Sequence, residues 1–319
     1  MQTFFSVVIP LYNKAESIIS TLDSILGQSF RDFEILIVDD GSTDNSCQVV
    51  EQYIDSRQPE QSIRLIRKKN GGVASARNRG IMESSGKYIA LIDADDLWLE
   101  HYLSTQAELI KDFPNKALYY TCYSAIRDNC IEERTGDYYK QFRGELSNPW
   151  SFPIKPWTSV VVFTKNDAVT VGMFDEQLLR SQDLDMWWRL ILLRGAAIDT
   201  QDCAVYRLAA ENRISQIPVP LSNYICSKIP YYKKYRESDF DFRKFFDNQM
   251  ADRLGFYLRR PRYHFQARKL ARQLDMSVLP KEKRIRLRFP IYFQLLSMFK
   301  RFINNEPLLL RNANVASQA

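Results

Sequence analysis

Glu34-Ile35-Leu36-Ile37-Val38-Asp39-Asp40-Gly41 is a short apolar run that ends on two carboxylates and a glycine. Runs of this kind read as strands buried on both faces of a parallel sheet, and such sheets bind ligands at the carboxyl ends of their strands. A second run of the same design, Tyr88-Ile89-Ala90-Leu91-Ile92, ends on Asp93-Ala94-Asp95-Asp96. Asp and Gly also serve turns and helix caps, so either cluster alone reads as a turn. Two clusters at matching ends of two buried strands read as a site. So many like charges need a positive partner, and an all-oxygen set suits Mg2+ or Mn2+.

Around these runs the pattern alternates. Strands are expected over residues 6–10, 34–38, 63–66 and 88–92, and helices over 15–27, 44–53 and 73–85. That alternation implies a parallel α/β sheet with helices on both faces. Beyond Asp96 the rhythm changes. An amphipathic helix is expected over 97–113, a Tyr-rich strand over 117–126, a turn at 127–129, a functional loop or lid over 136–157, an apolar run over 157–163 and a helix over 181–193. Residues 217–220 read as a linker. Helices follow over 240–258 and 263–274, then a basic stretch at 281–288 and a last helix near 291–303.

The 319 residues are 45% hydrophobic, enough for a sizeable core in one large domain or in a domain with an appendage. Net charge is +6, with Lys and Arg concentrated beyond Lys228, which directs that part at an acidic partner or surface. The same segment reads either as a solvated helical appendage or as a peripheral contact with a membrane. Five cysteines, odd in number and without a C-x-x-C pair, indicate neither a disulfide framework nor a zinc site. The N-terminus lacks the basic region of a secretory signal, and no apolar stretch reaches spanning length. A cytoplasmic protein is expected, free or at the inner face of the membrane. Basic residues are not interleaved with aromatic strands, which argues against nucleic acid as a partner.

Smaller features lie beside the two acidic loops. Ile9-Pro10-Leu11-Tyr12-Asn13 puts a proline at a strand end, then a tyrosine and an amide in the loop; alone it reads as a turn. In Asn70-Gly71-Gly72-Val73-Ala74-Ser75-Ala76-Arg77-Asn78, two glycines open a helix and allow a phosphate or base to approach the backbone. The spacing is neither G-x-G-x-x-G nor G-x-x-x-x-G-K-[ST], so a dinucleotide fingerprint and a P-loop are both absent, and a nicotinamide dehydrogenase is disfavoured. Ala76 and Gly80, four apart, suit close packing on the sheet. Trp187 and Trp188 read as core.

Together these residues resemble family 2 glycosyltransferases. The motifs that carry the resemblance are Val8-Ile-Pro-Leu-Tyr-Asn13, Ser24-Ile-Leu-Gly-Gln28, residues 34–44, Asn70-Gly-Gly, Ala76-Arg-Asn78 and residues 86–96. The likeness resumes at Val171-Gly-Met-Phe-Asp-Glu176 and at Ser181-Gln-Asp-Leu-Asp-Met-Trp-Trp-Arg-Leu190, so it covers about two thirds of the chain. It implies an α/β GT-A fold, a Rossmann-like mixed sheet, over residues 1–215 and a helical, basic region over 216–319. It also implies transfer of a sugar, with inversion, from a nucleoside diphosphate donor such as a UDP-sugar to a glycan or lipid-linked acceptor. By the same resemblance Pro10, Tyr12, Asp39 and Arg77 line the base and ribose pocket, Asp93 lies near the ribose, Asp95 binds Mn2+ or Mg2+, and Asp183 is the general base.

Two departures qualify that carry-over. Gln182 stands where the family has the first acid of a Glu-Asp pair, and an amide cannot take a proton. Ala209 stands where many relatives have a histidine, and the chain's two histidines, His101 and His264, are elsewhere. A non-catalytic sugar-nucleotide-binding or scaffold protein is the alternative these departures leave open. Ser181 is expected to cap the helix that carries Asp183.

Overall fold

The computed structural model describes residues 3–127, 130–138, 141–208 and 219–290. Residues 128–129 of the expected turn, Ala209, residues 217–218 of the linker and the helix near 291–303 lie outside them. Four strands, β1 (Phe5–Leu11), β2 (Phe33–Asp39), β3 (Ile63–Arg67) and β4 (Tyr88–Leu91), alternate with α1 (Ile18–Leu26), α2 (Ser46–Arg57) and α3 (Val73–Glu83). They pair in parallel in the order β3-β2-β1-β4. Every residue of β2 is buried, and in β1 only Pro10 is partly open, which is why these runs show no polar alternation. Register brings Leu11 level with Asp39. The ladder with β4 stops at Val8 and Leu91, so on that side the missing N–H of Pro10 leaves no bond unmet.

The parallel pairing expected of the first hundred residues is thus present, and after β4 the sheet is mixed, in agreement with the GT-A expectation. The elements are β5 (Leu97–Trp98), α4 (Tyr102–Asp112), β6 (Leu118–Arg127), β7 (Cys130–Arg134), β8 (Arg143–Glu145), β9 (Val161–Thr164), α5 (Lys165–Thr170), α6 (Gln182–Arg194) and β10 (Ala196–Arg207). β9 runs antiparallel to β4 and β6, and β10 runs parallel to β6. The order is β3-β2-β1-β4-β9-β6-β10-β5, with β7 on β6 and β8 on β10. The helix expected from residue 97 begins at Tyr102, because Leu97 and Trp98 pair with Val205 and Ala204 instead. The sequence pattern does not announce β10: Asp199, Gln201 and Asp202 break its apolar run, and its register with β6 shifts on either side of Asp202. The loop over 136–157 contains β8, paired on β10.

One face of the sheet carries α1, α2 and α4, whose Ile18, Leu22, Ile25, Val50, Tyr102 and Leu109 join Val7, Ile9, Ile35 and Ile37 in a single core. On the other face α3 lies against β1 and β2. A Cβ on Gly80 would overlap Val8 Cγ1 and come within 3.3 Å of Val38 Cγ2, so this helix sits as close as it does only because Gly80 has no side chain. At the opposite end of the strands from the acidic loops, buried Glu34 accepts from Ser6 Oγ at 2.6 Å, Ser85 N–H at 2.6 Å and Ser85 Oγ at 2.8 Å. Burial alone would raise its pKa; those hydrogen bonds and Arg64 outweigh it and hold the carboxyl below its ordinary value. A depressed folded pKa adds stability above the unfolded value, lost as pH falls through the folded one.

Two compact units are distinguished by their internal packing: residues 1–177 with 182–212, and residues 178–181 with 213–319. The second contains α7 (Lys233–Ser238), α8 (Phe240–Leu258), α9 (Pro261–Ala271) and α10 (Lys281–Arg288). Tyr232, Phe242 and Phe246 cluster with ring centroids 5.0–5.7 Å apart. Arg236 donates to buried Asp247 at 2.9 Å and to the Gln273 carbonyl at 2.8 Å. Among the described residues no helix is long and apolar enough to cross a membrane.

Overpacking of this kind costs about 1–3 kcal/mol, against roughly 1 kcal/mol gained from alanine's helix propensity. Gly80→Ala is therefore expected to lower the thermal midpoint in a scanning denaturation experiment. An unchanged or higher midpoint would show that α3 slides without cost.

Candidate active site

The loops at the carboxyl ends of β1 and β2 are stitched together. Asn13, in the left-handed region at φ 52°, accepts the Thr43 N–H at 2.8 Å on Oδ1 and donates from Nδ2 to Thr43 Oγ1 at 3.2 Å. Its own N–H donates to Ser42 Oγ at 3.0 Å. Buried Asp39 accepts the Ser42 N–H at 3.1 Å. Leu11 and Asp39 stand level at this edge while Pro10 is level with Val38 on the other face of the sheet, and Tyr12, next in the chain, is 41% exposed.

Asp40 is the second member of that pair, and its carboxylate is taken up by the protein's own donors. Its Oδ1 accepts from Lys68 Nζ at 2.5 Å and the Gly71 N–H at 2.9 Å, and its Oδ2 accepts the Gly72 N–H at 2.7 Å. The amides that open α3, expected to meet a phosphate or base, are thus taken by the protein's own carboxylate. Positive φ at Gly41 and Gly72 makes the turn possible, and a Cβ on Gly41 would sit 2.9 Å from the Asn70 nitrogen.

One turn into α3, Arg77 is 4% exposed and donates from Nη2 to Asp93 Oδ1 at 2.7 Å, with its guanidinium 5.4 Å from the Phe174 ring centroid. Nε and Nη1 are buried without a hydrogen-bond partner. Asp183, in the first turn of α6, also feels this guanidinium. Desolvation pushes the Asp183 pKa up from its ordinary value; Arg77 and the Leu184 N–H pull it down, and Asp93 adds to the rise. Asp183 as a residue is partly buried. The structure thus brings Arg77, Asp93 and Asp183, far apart in sequence, under one field.

Asp95 lies beside them, paired with Lys14 Nζ at 2.7 Å, while its carbonyl accepts from Arg207 Nε at 2.6 Å. Asp96 is buried and accepts from Ser159 Oγ at 2.6 Å; burial first, then Asp95 and Asp93, push its pKa well up. Among the described residues no three Asp, Glu, His or Cys side chains converge on a ready-made metal cage. Mg2+ and Mn2+ are commonly held through one or two carboxylates and substrate phosphates, and Asp95, accessible and already matched to a cation, fits that arrangement.

The remaining motif residues serve the scaffold. Asn78 exchanges hydrogen bonds with the backbone of Phe174, 2.9 Å each way, and donates to Glu176 Oε1 at 2.9 Å, which joins α3 to the segment leading to α6. Asp185 is buried on Arg189, which donates to the Val171 and Met173 carbonyls. Gln182 is buried with Oε1 unpartnered. Ser181, expected to cap α6, directly precedes it and has φ 61°, in the left-handed region. Trp187 and Trp188 are core. Sequence reasoning missed Lys14, Lys68, Ser159 and Arg207. Lys14 carries a legible signal, following Asn13 directly in the first motif, whereas Ser159 and Arg207 lie in segments with no periodicity to place them.

A family model described as "Glycosyl transferase family 2" matches residues 6–169. The chain is 34% identical over 200 residues to the amylovoran biosynthesis glycosyltransferase AmsB of Erwinia amylovora, covering 57% of this chain and 62% of that protein. An uncharacterized glycosyltransferase of Rickettsia bellii is 38% identical over 121 residues, which are 38% of this chain and 17% of the relative. The chain thus spans less than two thirds of the length of these relatives. Among solved structures, S. aureus TarS 1–349 in complex with UDP-GlcNAc has a TM-score of 0.72 at 15% identity, covering 96% of this chain and 93% of that one. GalNAc-T7 with UDP, GalNAc and Mn2+ has a TM-score of 0.55 at 15% identity, over 74% and 51% of the two chains. At such identity the likeness is one of fold.

Removing one side of a buried ion pair that also holds two backbone amides costs on the order of 3 kcal/mol. Asp40→Ala should lose about that much in chemical denaturation, with Asp40→Asn in between. An alanine variant as stable as wild type would mean that the loop over 68–72 does not depend on Asp40.

Proposed function

As the chain belongs to glycosyl transferase family 2, we propose that it moves a sugar from a uridine diphosphate donor to a hydroxyl of a glycan or lipid-linked acceptor, with inversion at the anomeric carbon. The observation that carries this reading is the grouping of Arg77, Asp93 and Asp183 at the carboxyl edge of the sheet. The UDP-bound state of TarS and GalNAc-T7, which share the fold, supports a uridine nucleotide. Residues 1–215 form the transferring domain.

Pro10, Tyr12 and Asp39 take the base and ribose, with Arg77 behind them and Asp93 near the ribose. Asp183 removes the proton from the acceptor hydroxyl as its oxygen bonds to the anomeric carbon, while the bond from that carbon to the diphosphate oxygen breaks on the opposite side. A carboxyl pushed up by desolvation is a better base near neutral pH than an ordinary aspartate. Asp95, with Asp93 beside it, would hold Mn2+ or Mg2+, which when bound neutralises charge on the departing nucleoside diphosphate. Lys14 and Arg207 add fixed positive charge at the same loop. The basic region beyond residue 216 brings the enzyme to the acidic inner surface of a membrane.

Asp183→Asn should keep UDP affinity near wild type while transfer falls at least about 100-fold. The base acts when ionised, so wild-type kcat should rise with pH along an acidic limb whose midpoint lies above the ordinary 3.8, and the variant should lack that limb. A raised folded pKa means that stability from this group is lost as pH rises through that value, so Asp183→Asn should be at least as stable as wild type at neutral pH. Near-normal turnover in a folded variant would place the base elsewhere.

Calorimetry of UDP binding tests the metal assignment. Asp95→Asn should weaken Mn2+-supported affinity about tenfold or more. Asp96→Asn should change it little, because Asp96 is buried on Ser159 and its environment already favours the neutral form. Equal affinity with Mn2+ and with chelator would remove the ion from donor binding.

A further inference from the structure

The outer face of α9 carries cations that the fold does not use. Residues 253–274 contain seven Lys or Arg and no Asp or Glu. Some cations elsewhere in this unit have structural partners: Arg236 rests on Asp247, and Lys283 and Arg286 rest on Asp252. Arg262, Lys269 and Arg272 have no carboxylate within ion-pair distance among the described residues, and all three are exposed. Positions 262, 265, 269 and 272 follow a 3-4-3 spacing, which places them on one stripe of the helix. Ala267 and Ala271 are buried on the opposite side. In the middle of the stripe stands Phe265, 82% exposed, the most exposed of the large apolar side chains described.

We infer that this stripe is a docking surface for an anionic lipid bilayer, with Arg262, Lys269 and Arg272 on lipid phosphates and Phe265 in the boundary between headgroups and acyl chains. A polyanion such as nucleic acid or an acidic glycan would satisfy the cations but would leave Phe265 in water. A bilayer satisfies both, since basic side chains around an exposed aromatic are the signature of a helix lying in the interface. The inference rests on the reading of the basic region as membrane-directed and locates the contact on α9, away from the stretch that begins at Lys281.

Co-sedimentation of the full chain with phosphatidylcholine vesicles, with and without phosphatidylglycerol, tests it. Each basic residue at such a surface contributes about fivefold in affinity, so Arg262→Gln, Lys269→Gln and Arg272→Gln together should weaken capture on the order of 100-fold. Phe265→Ser should weaken capture at every salt concentration, while the cation variants should lose mainly the salt-sensitive part. Circular dichroism should show all variants folded, since the four side chains are exposed. Wild-type capture that the variants leave intact would overturn the α9 surface while leaving membrane association standing. Failure of the wild type to bind anionic vesicles would overturn both. Unchanged vesicle capture by Phe265→Ser, with the cation variants weakened equally on vesicles and on heparin, would make the stripe a general polyanion site and overturn the bilayer.

Discussion

The close approach of Gly80 to Val8 and Val38 fixes the position of one helix, and most of the site hangs from that helix. The amides that open α3 hold Asp40, and through it the loop after β2. Arg77, one turn further on, holds Asp93 at the end of β4. Asn78 holds the Phe174 backbone, which leads toward the first turn of α6 and Asp183. Three parts of the chain that are distant in sequence are thus tied to the helix that this glycine contact positions. Because protein interiors are close-packed, a shift of α3 would move all three together.

The acidic edge is balanced largely from within. Asp40 has Lys68, Asp93 has Arg77 and Asp95 has Lys14, while Asp96 is biased toward the neutral form by burial. Carboxylates so matched can wait in a folded site without a resident ion, and entry of the anionic diphosphate proposed above would shift the charge balance. Arg77 keeps two buried donors unpartnered, and such unmet hydrogen-bonding capacity is costly unless a ligand or water uses it. That reserve lies beside the two carboxylates assigned to the ribose and to proton transfer.

Much of the edge was legible because both acidic loops end unbroken apolar runs, and strand burial on two faces writes itself directly into composition. The motif around Asn70–Asn78 was legible as a helix start, but not which anion would occupy its amides, since Asp40 is 30 residues away and only folding brings it there. The mixed half of the sheet was hidden. β10 carries Asp199 and Asp202 in a strand whose register shifts, so no period survives, and β5 is too short to interrupt a helical pattern that starts four residues later. Lys14 was readable as a residue but not as the partner of Asp95, for pairing across 81 residues leaves no local trace.

The central claim is that a nucleotide donor docks at the carboxyl ends of β1, β2 and β4, against the side chains that α3 positions. Hydrogen–deuterium exchange of the full chain, with and without UDP and Mn2+, tests it most directly. The account predicts slowed exchange in residues 10–14, 39–44 and 93–96, and in the first turn of α6. Protection confined to the opposite end of the strands, around Glu34 and Ser85, or to the helical unit alone, would contradict it.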